Sequence, residues 1–205
     1  MQTVMCAHET YTPSKVVCIG RNYVEHIEEL GNELPEQMVI FNKPNSAITD
    51  RLRYVGEACR FEGEICFLVK EGALYGVGFG LDLTKADIQN ALKAKGLPWE
   101  RAKAFDGSAV LSEFVPLTVS LESLRMELYV DGVLRQEADY GLMIYKPQIM
   151  LAEIAGFMSL EDGDVIMSGT PRGVGSYRAG EHFTGRILSG ESLLLECHWR
   201  VLPGA

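Results

Sequence analysis

The sequence lacks what a membrane protein needs. No apolar stretch approaches the roughly 18 residues of a spanning helix, and residues 1–14 have neither the basic start nor the apolar centre of a signal peptide. A cytoplasmic protein that does not act on a membrane is the expectation. Positive charge is scarce: 19 Lys and Arg stand against 28 Asp and Glu, a formal charge of −9. A field of that sign repels a phosphate backbone, so no nucleic-acid partner is expected. The five cysteines (Cys6, Cys18, Cys59, Cys66, Cys197) are odd in number and include no Cys-x-x-Cys pair, which argues against a disulfide framework and a zinc ribbon. Internal repeats, low-complexity tracts and a Pro/Ser/Gly linker are also missing, so residues 1–205 are expected to form a single domain.

What is present reads as a globule with a sizeable core: 205 residues, 47% hydrophobic and 23% charged. The 21 glycines fall mostly between apolar runs, the pattern of strands and tight turns. Strands are expected at 16–20, 39–43, 65–70, 75–81, 126–130, 133–137, 165–168 and 192–202. Glu71-Gly72 reads as a turn, and Asp131-Gly132 is the strongest hairpin signal in the chain. In the last strand Leu193, Leu195, Cys197, Trp199 and Val201 alternate with Glu196, His198 and Arg200. Helices are expected at 21–30, at 147–157, and after Thr84, where Thr84 to Asp87 resembles a capping box. Many strands and few short helices, without regular β-α alternation, predict a β-rich α+β fold rather than a doubly wound sheet.

Three clusters carry chemistry. In an extended chain, residues i and i+2 project from one face about 7 Å apart, so Glu62 and Glu64 point into one space. Alone they would suit a solvated strand face. A third acid, Asp82, ends the next apolar strand, and three carboxylates at neighbouring strand ends are hard oxygen ligands for Mg²⁺, Mn²⁺ or Ca²⁺ rather than zinc. In the second cluster His26 and Glu29 share a helix face, either as a surface pair or as a carboxylate-oriented general base. The third is the glycine-rich run from Ser168 to Gly175. It matches neither the dinucleotide fingerprint nor the Walker loop; it is a plain turn, or a site whose backbone N–H groups and Thr170 hydroxyl take a carboxylate or enolate oxygen. Lys103, in a semi-apolar stretch, is a further candidate to meet a substrate carboxylate.

Taken in order, the strings GRNYVEHIEEL, FNKPNSAI, FEGEI, GFGLDLTKADIQ, KGLPWERAKAFDGSA, VDGVLRQE and LEDGDVIMSGTPRGVG resemble the fumarylacetoacetate hydrolase family, most closely its short acylpyruvase-like members. The resemblance covers about residues 14–190. It implies a mixed β-roll of the family's C-terminal catalytic domain type and a homodimer. It also implies Mg²⁺ or Mn²⁺ on Glu62, Glu64 and Asp82, with Ca²⁺ a possible substitute in vitro. His26 and Glu29, on a short helix that orders over the site, would activate water. Lys103 would polarise substrate, Gln89 would lie near the metal, and Arg21, Asn22, Tyr23, Gly169 and Thr170 would contact substrate. Two departures concern the distal substrate group: Ala86 stands where an Arg is usual, with Lys85 about 100° away on the helix, and Tyr140 to Leu142 replaces small hydroxyl residues.

The reaction so implied is hydrolytic carbon–carbon cleavage of a β-diketo acid, an acylpyruvate such as fumarylpyruvate or acetylpyruvate, through a metal-stabilised pyruvate enolate. Oxaloacetate decarboxylation and keto–enol isomerisation need only the enolate half of that chemistry and remain alternatives. So does a non-catalytic metal- or metabolite-binding protein, for which Ala86 is the feature in favour.

Overall fold

Seven strands of a mixed sheet are laid side by side in the order Val39–Pro44, Lys15–Gly20, Val165–Met167, Gly63–Lys70, Ala73–Asp82, Ala109–Leu111 and Ile48–Thr49, with Val115–Pro116 also pairing to the long Ala73–Asp82 strand. The computed structural model describes residues 1–24 and 37–204. Two of the neighbouring pairs are parallel, Val165–Met167 with Lys15–Gly20 and Ala109–Leu111 with Ile48–Thr49; the others are antiparallel. Laid flat, the first and last strands would stand about 29 Å apart at 4.8 Å per step. The chain nevertheless passes from Pro44 to Ile48 through only the short 3₁₀ turn Asn45–Ala47, which spans at most about 11 Å. The sheet therefore curls until its edges meet, and the expected mixed β-roll is met.

A four-stranded antiparallel sheet, Val133–Asp139, Leu124–Val130, His182–Ser189 and Ser192–Arg200, packs on the roll. Leu124, Met126, Leu128 and Val130 are buried while the residues between them are half-exposed, the alternation of a sheet with one face on the core. They meet Ile65, Phe67, Val77 and Phe79 of the roll in one apolar cluster. The other face of the roll is covered too, by a cluster that includes Val4, Cys6 and Phe114. This is why Gly63–Lys70 is buried along nearly its whole length. All five cysteines are free. The helices among the described residues are short: Ala86–Lys93, Glu100–Lys103 and Pro147–Ala155. None is long and apolar enough to cross a membrane.

Both expected turns form. Glu71 and Gly72 have φ of 52° and 71°, Asp131 and Gly132 of 49° and 77°, the left-handed pair that a two-residue hairpin loop of this twist requires. Four details differ from the sequence reading. Thr84 does not cap a helix; it lies in the short strand Thr84–Lys85, and Lys85 precedes the helix with no side-chain cap bond. In Ser192–Arg200 the register shifts opposite Ile187 and Leu188, so Leu193 leaves the apolar face and is 54% exposed. The helix expected over 147–157 ends at Ala155, with Pro147, Met150 and Ile154 buried. Arg21 to Tyr23 is not helical, because Arg21 takes φ of 56° and Tyr23 bridges to Met143. The rest of the helix expected there, with His26, Ile27, Glu29 and Leu30, lies outside the described residues.

Candidate active site

The acid triad is built by strand register. Glu62 stands just before Gly63–Lys70, and Asp82 ends Ala73–Asp82. Gly63 pairs with Leu81 and Glu64 with Gly80, and the Asp82 N–H donates to the Glu62 carbonyl at 2.9 Å. Two residues apart on one strand, Glu62 and Glu64 share a face, and the hairpin brings Asp82 to the same point. Each residue offers a carboxylate oxygen within 4.8 Å of the others, with Glu64 and Asp82 buried and Glu62 half-buried. The side chain of Gly63, were there one, would point the opposite way. A Cβ there would lie 3.0 Å from both Leu128 Cδ2 and Gln136 Oε1, so glycine is what lets the second sheet close against the back of the acid pair.

Two lysines meet the triad. Lys103, from the helix Glu100–Lys103, donates to Glu62 Oε2 at 3.0 Å and to Asp82 Oδ2 at 2.7 Å. Lys43, with no exposed surface, places Nζ 2.7 Å from Asp82 Oδ1 and also donates to the Lys103 carbonyl. Thr84 Oγ1 donates to Glu62 Oε1 at 2.6 Å, the bond that takes its hydroxyl away from capping.

Burial alone would raise the Asp82 pKa, but Lys103 and Lys43 outweigh it and hold the carboxyl below its usual range. Burial would likewise lower Lys103, and Asp82 and Glu62 more than reverse that. Among the described residues no lysine is ion-paired with Glu64, and the Lys103 charge acts on it only weakly. Burial, then the charges of Asp82 and Glu62, push its carboxyl well up, opposed by the Gly169 N–H, which donates to Oε2 at 2.6 Å. Three oxygen donors converging with one acid under like-charge pressure fit a hard divalent cation in both donor chemistry and charge.

The loop after Val165–Met167 is fixed from behind. Gly169 has φ of 95°, and a Cβ there would fall 2.8 Å from Asn22 Cβ. Thr170 Oγ1 donates to the Gly63 carbonyl at 2.9 Å and accepts from Gln136 Nε2 at 2.8 Å. Its proton is therefore committed inside the protein rather than offered to a ligand. Gln136, buried in the second sheet, closes the circuit: its Oε1 accepts from the Gly63 N–H at 2.8 Å and its Nε2 also donates to the Pro171 carbonyl at 2.9 Å.

A cleft opens over the triad, lined by Glu62, Glu64, Asp82 and Lys103 together with Arg21, Gln89, Thr170, Phe41, Trp99 and Lys93. Seven residues singled out in the sequence thus share one wall-to-wall space. Asn22 and Tyr23 stand behind it. The Asn22 amide donates to the Ser168 and Tyr145 carbonyls and accepts from the Tyr145 N–H, and the buried Tyr23 phenol is pushed up by burial and the Glu64 charge. His26 and Glu29 lie outside the described residues. Lys43 and Gln136 were not singled out for a role.

Comparison with known proteins agrees with this geometry. Residues 15–197 match the fumarylacetoacetate hydrolase C-terminal family. The oxaloacetate tautomerase YcgM of Escherichia coli is 37% identical over 193 residues, covering 85% of this chain and 88% of the relative. The mitochondrial oxaloacetate tautomerase of Bos taurus is 35% identical over 190 residues, covering 84% and 86%. Among solved structures, the fumarylpyruvate hydrolase of Pseudomonas aeruginosa, in complex with Mn²⁺ and pyruvate, superposes with a TM-score of 0.88 at 28% identity, covering 99% of this chain and 96% of that one. The chain belongs to the fumarylacetoacetate hydrolase family.

Proposed function

We propose that this protein is a divalent-metal-dependent enzyme that carries a β-keto acid through its enol or enolate, with oxaloacetate the first substrate and tautomerisation or decarboxylation the reaction. The observation that carries the reading is the acid triad crossed by Lys103: hard oxygen donors beside a buried ammonium that touches two of them. A Mg²⁺ or Mn²⁺ ion held by Glu62, Glu64 and Asp82 would chelate the α-keto acid end of the substrate and supply Lewis acidity. Lys103 brings a fixed positive charge to where the enolate oxygen develops, and such preorganised charge is usually the largest catalytic term. Lys43 holds the triad's charge down from the inside, and the Gly169 N–H fixes which Glu64 oxygen faces inward. The activities of the two oxaloacetate tautomerases support the choice of substrate.

A second reading, hydrolytic cleavage of an acylpyruvate, is favoured by the likeness to fumarylpyruvate hydrolase. It needs a base for water, a role the sequence offers to His26 oriented by Glu29. The two readings separate in one assay series: oxaloacetate, acetylpyruvate and fumarylpyruvate, with Mg²⁺ or Mn²⁺ and with chelator, for wild type, His26→Asn and Asp82→Asn. Asp82→Asn is expected to abolish every metal-dependent activity. His26→Asn is expected to cost acylpyruvate cleavage about 10² to 10⁴ in rate and oxaloacetate decarboxylation far less. Turnover unaffected by chelator, or none on any of the three acids, would overturn the proposal.

A further inference from the structure

Each acid of the triad has one oxygen pinned by a different donor. Glu62 Oε1 accepts from the Thr84 hydroxyl at 2.6 Å, Glu64 Oε2 accepts from the Gly169 N–H at 2.6 Å, and Asp82 Oδ1 lies 2.7 Å from Lys43 Nζ. The other oxygens of Glu62 and Asp82, Oε2 and Oδ2, meet at the Lys103 ammonium, at 3.0 and 2.7 Å. A carboxylate pinned in this way turns both of its oxygens toward a cation only by giving up a charge-assisted bond.

Thr84 reaches Glu62 through sheet register. It follows Asp82 by two residues, so in the extended chain the two side chains share a face. The Asp82 N–H donates to the Glu62 carbonyl, and Thr84 pairs with Arg60, two residues before Glu62. That register sets the hydroxyl beside Oε1. Thr84 is buried, so solvent does not compete for the bond. Of the three pinning donors, this hydroxyl is the one that a substitution removes without altering either the charge of the site or its backbone.

Resting on the reading of the triad as a divalent-cation site, we propose that Thr84 is a positioning residue that sets the cation preference. By holding Oε1 it makes Glu62 a one-oxygen ligand and biases the site toward Mg²⁺ and against Ca²⁺. Mg²⁺ demands a small, near-octahedral shell, whereas Ca²⁺ takes six to eight oxygens and readily binds a carboxylate through both of them. Gly169 and Lys43 restrict Glu64 and Asp82 in the same sense.

The test is titration calorimetry of the full chain, stripped with chelator and then dialysed, with Mg²⁺ and Ca²⁺ in separate runs. Wild type is expected to bind Mg²⁺ the more tightly. Thr84→Val, which removes the hydroxyl and keeps the shape, should raise the ratio of Ca²⁺ to Mg²⁺ affinity about tenfold, the worth of one hydrogen bond to a charged group. Thr84→Ala should move the ratio the same way, and Thr84→Ser should keep the wild-type ratio. A fold that is merely loosened would weaken both ions by one factor and leave the ratio alone. A wild type that prefers Ca²⁺, a ratio within about twofold of wild type in both Val and Ala variants, or a Ser variant that shifts with them would overturn the role of Thr84 and leave the metal centre standing. Failure of both Val and Ala variants to fold would make Thr84 a structural residue and overturn the role as well. A wild type that binds none of Mg²⁺, Mn²⁺ and Ca²⁺ would remove the reading of the triad and the proposal with it.

Discussion

Two buried carboxylates of this chain, Asp164 and Glu64, differ in everything except burial. Asp164 sits in the turn before Val165–Met167. It accepts from Ser14 N at 2.7 Å, Ser14 Oγ at 2.8 Å, Lys15 N at 3.1 Å, Lys15 Nζ at 2.6 Å and Glu161 N at 2.9 Å. Burial opposes its ionisation, but these donors, Lys15 foremost, hold its carboxyl below the usual range. Glu64 has the Gly169 N–H and two like charges, and its carboxyl is pushed up. One acid has been given its counter-charge by the chain. The other is left short of it, beside two more oxygens aimed at the same point, and the shortfall marks the position a cation would fill.

The comparison breaks if the two acids respond alike to substitution. The largest effect belongs to Glu64→Gln, which should weaken Mn²⁺ binding by more than about 100-fold, since partners of ligands already cost 10- to 100-fold and this is a ligand itself. Its thermal stability in chelator should stay the same or rise, because a raised carboxyl pKa means that the ionised form opposes folding at neutral pH. A metal affinity equal to wild type in titration calorimetry would refute it.

Asp164→Asn should do the reverse. It should lose about 2 to 3 kcal/mol, roughly 4 to 12 °C in Tm for a chain of this size, with Mn²⁺ affinity unchanged. Because the folded-state pKa of Asp164 is depressed, its contribution is present in full above the ordinary value of 3.8 and is lost as pH falls through the folded value. The stability gap between wild type and Asp164→Asn should therefore close in acid, and denaturant melts that keep a constant gap down to low pH would contradict this. Between the two lies Gln136→Met. It leaves the Gly63 N–H without its acceptor and the Thr170 hydroxyl without its donor, so both readouts should move: about tenfold in Mn²⁺ affinity and a few degrees in Tm. A fall in Tm with no change in affinity would make Gln136 a purely structural residue.

The acids were legible where the signal was local. Glu62 and Glu64 needed only the period-two rule, and Asp82 only the recognition that a strand ends there; the turn Glu71-Gly72 does the rest by folding the two strands together. The hairpin over Asp131-Gly132 was legible for the same reason, as two residues that tolerate positive φ between apolar runs. Thr84 misled because its spacing to Asp87 fits a cap, and only the tertiary neighbour Glu62 decides otherwise. Lys43 and Gln136 are far from the acids along the chain and reach them only because the sheet curls and a second sheet docks. Nothing in FNKPNS or VLRQE announces that. The family resemblance covered these strings without assigning either residue a role, so of the triad's partners only Lys103 was legible in the sequence.

The pairing of Lys15–Gly20 with Val165–Met167 has a consequence during synthesis. A nascent chain released to residue 110 already holds Glu62, Glu64, Asp82 and Lys103, and the hairpin that joins the three acids is short enough to form on its own. The Gly169 N–H that Glu64 uses, the Thr170 hydroxyl that braces Gly63 and the strand that fills the gap beside Lys15–Gly20 emerge some 55 to 60 residues later. For that interval the three acids exist without their setting, and the curl of the sheet cannot be completed. Such long-range pairing is slow to form, so the setting of the acid triad belongs to the last stage of folding although its carboxylates are among the first parts made.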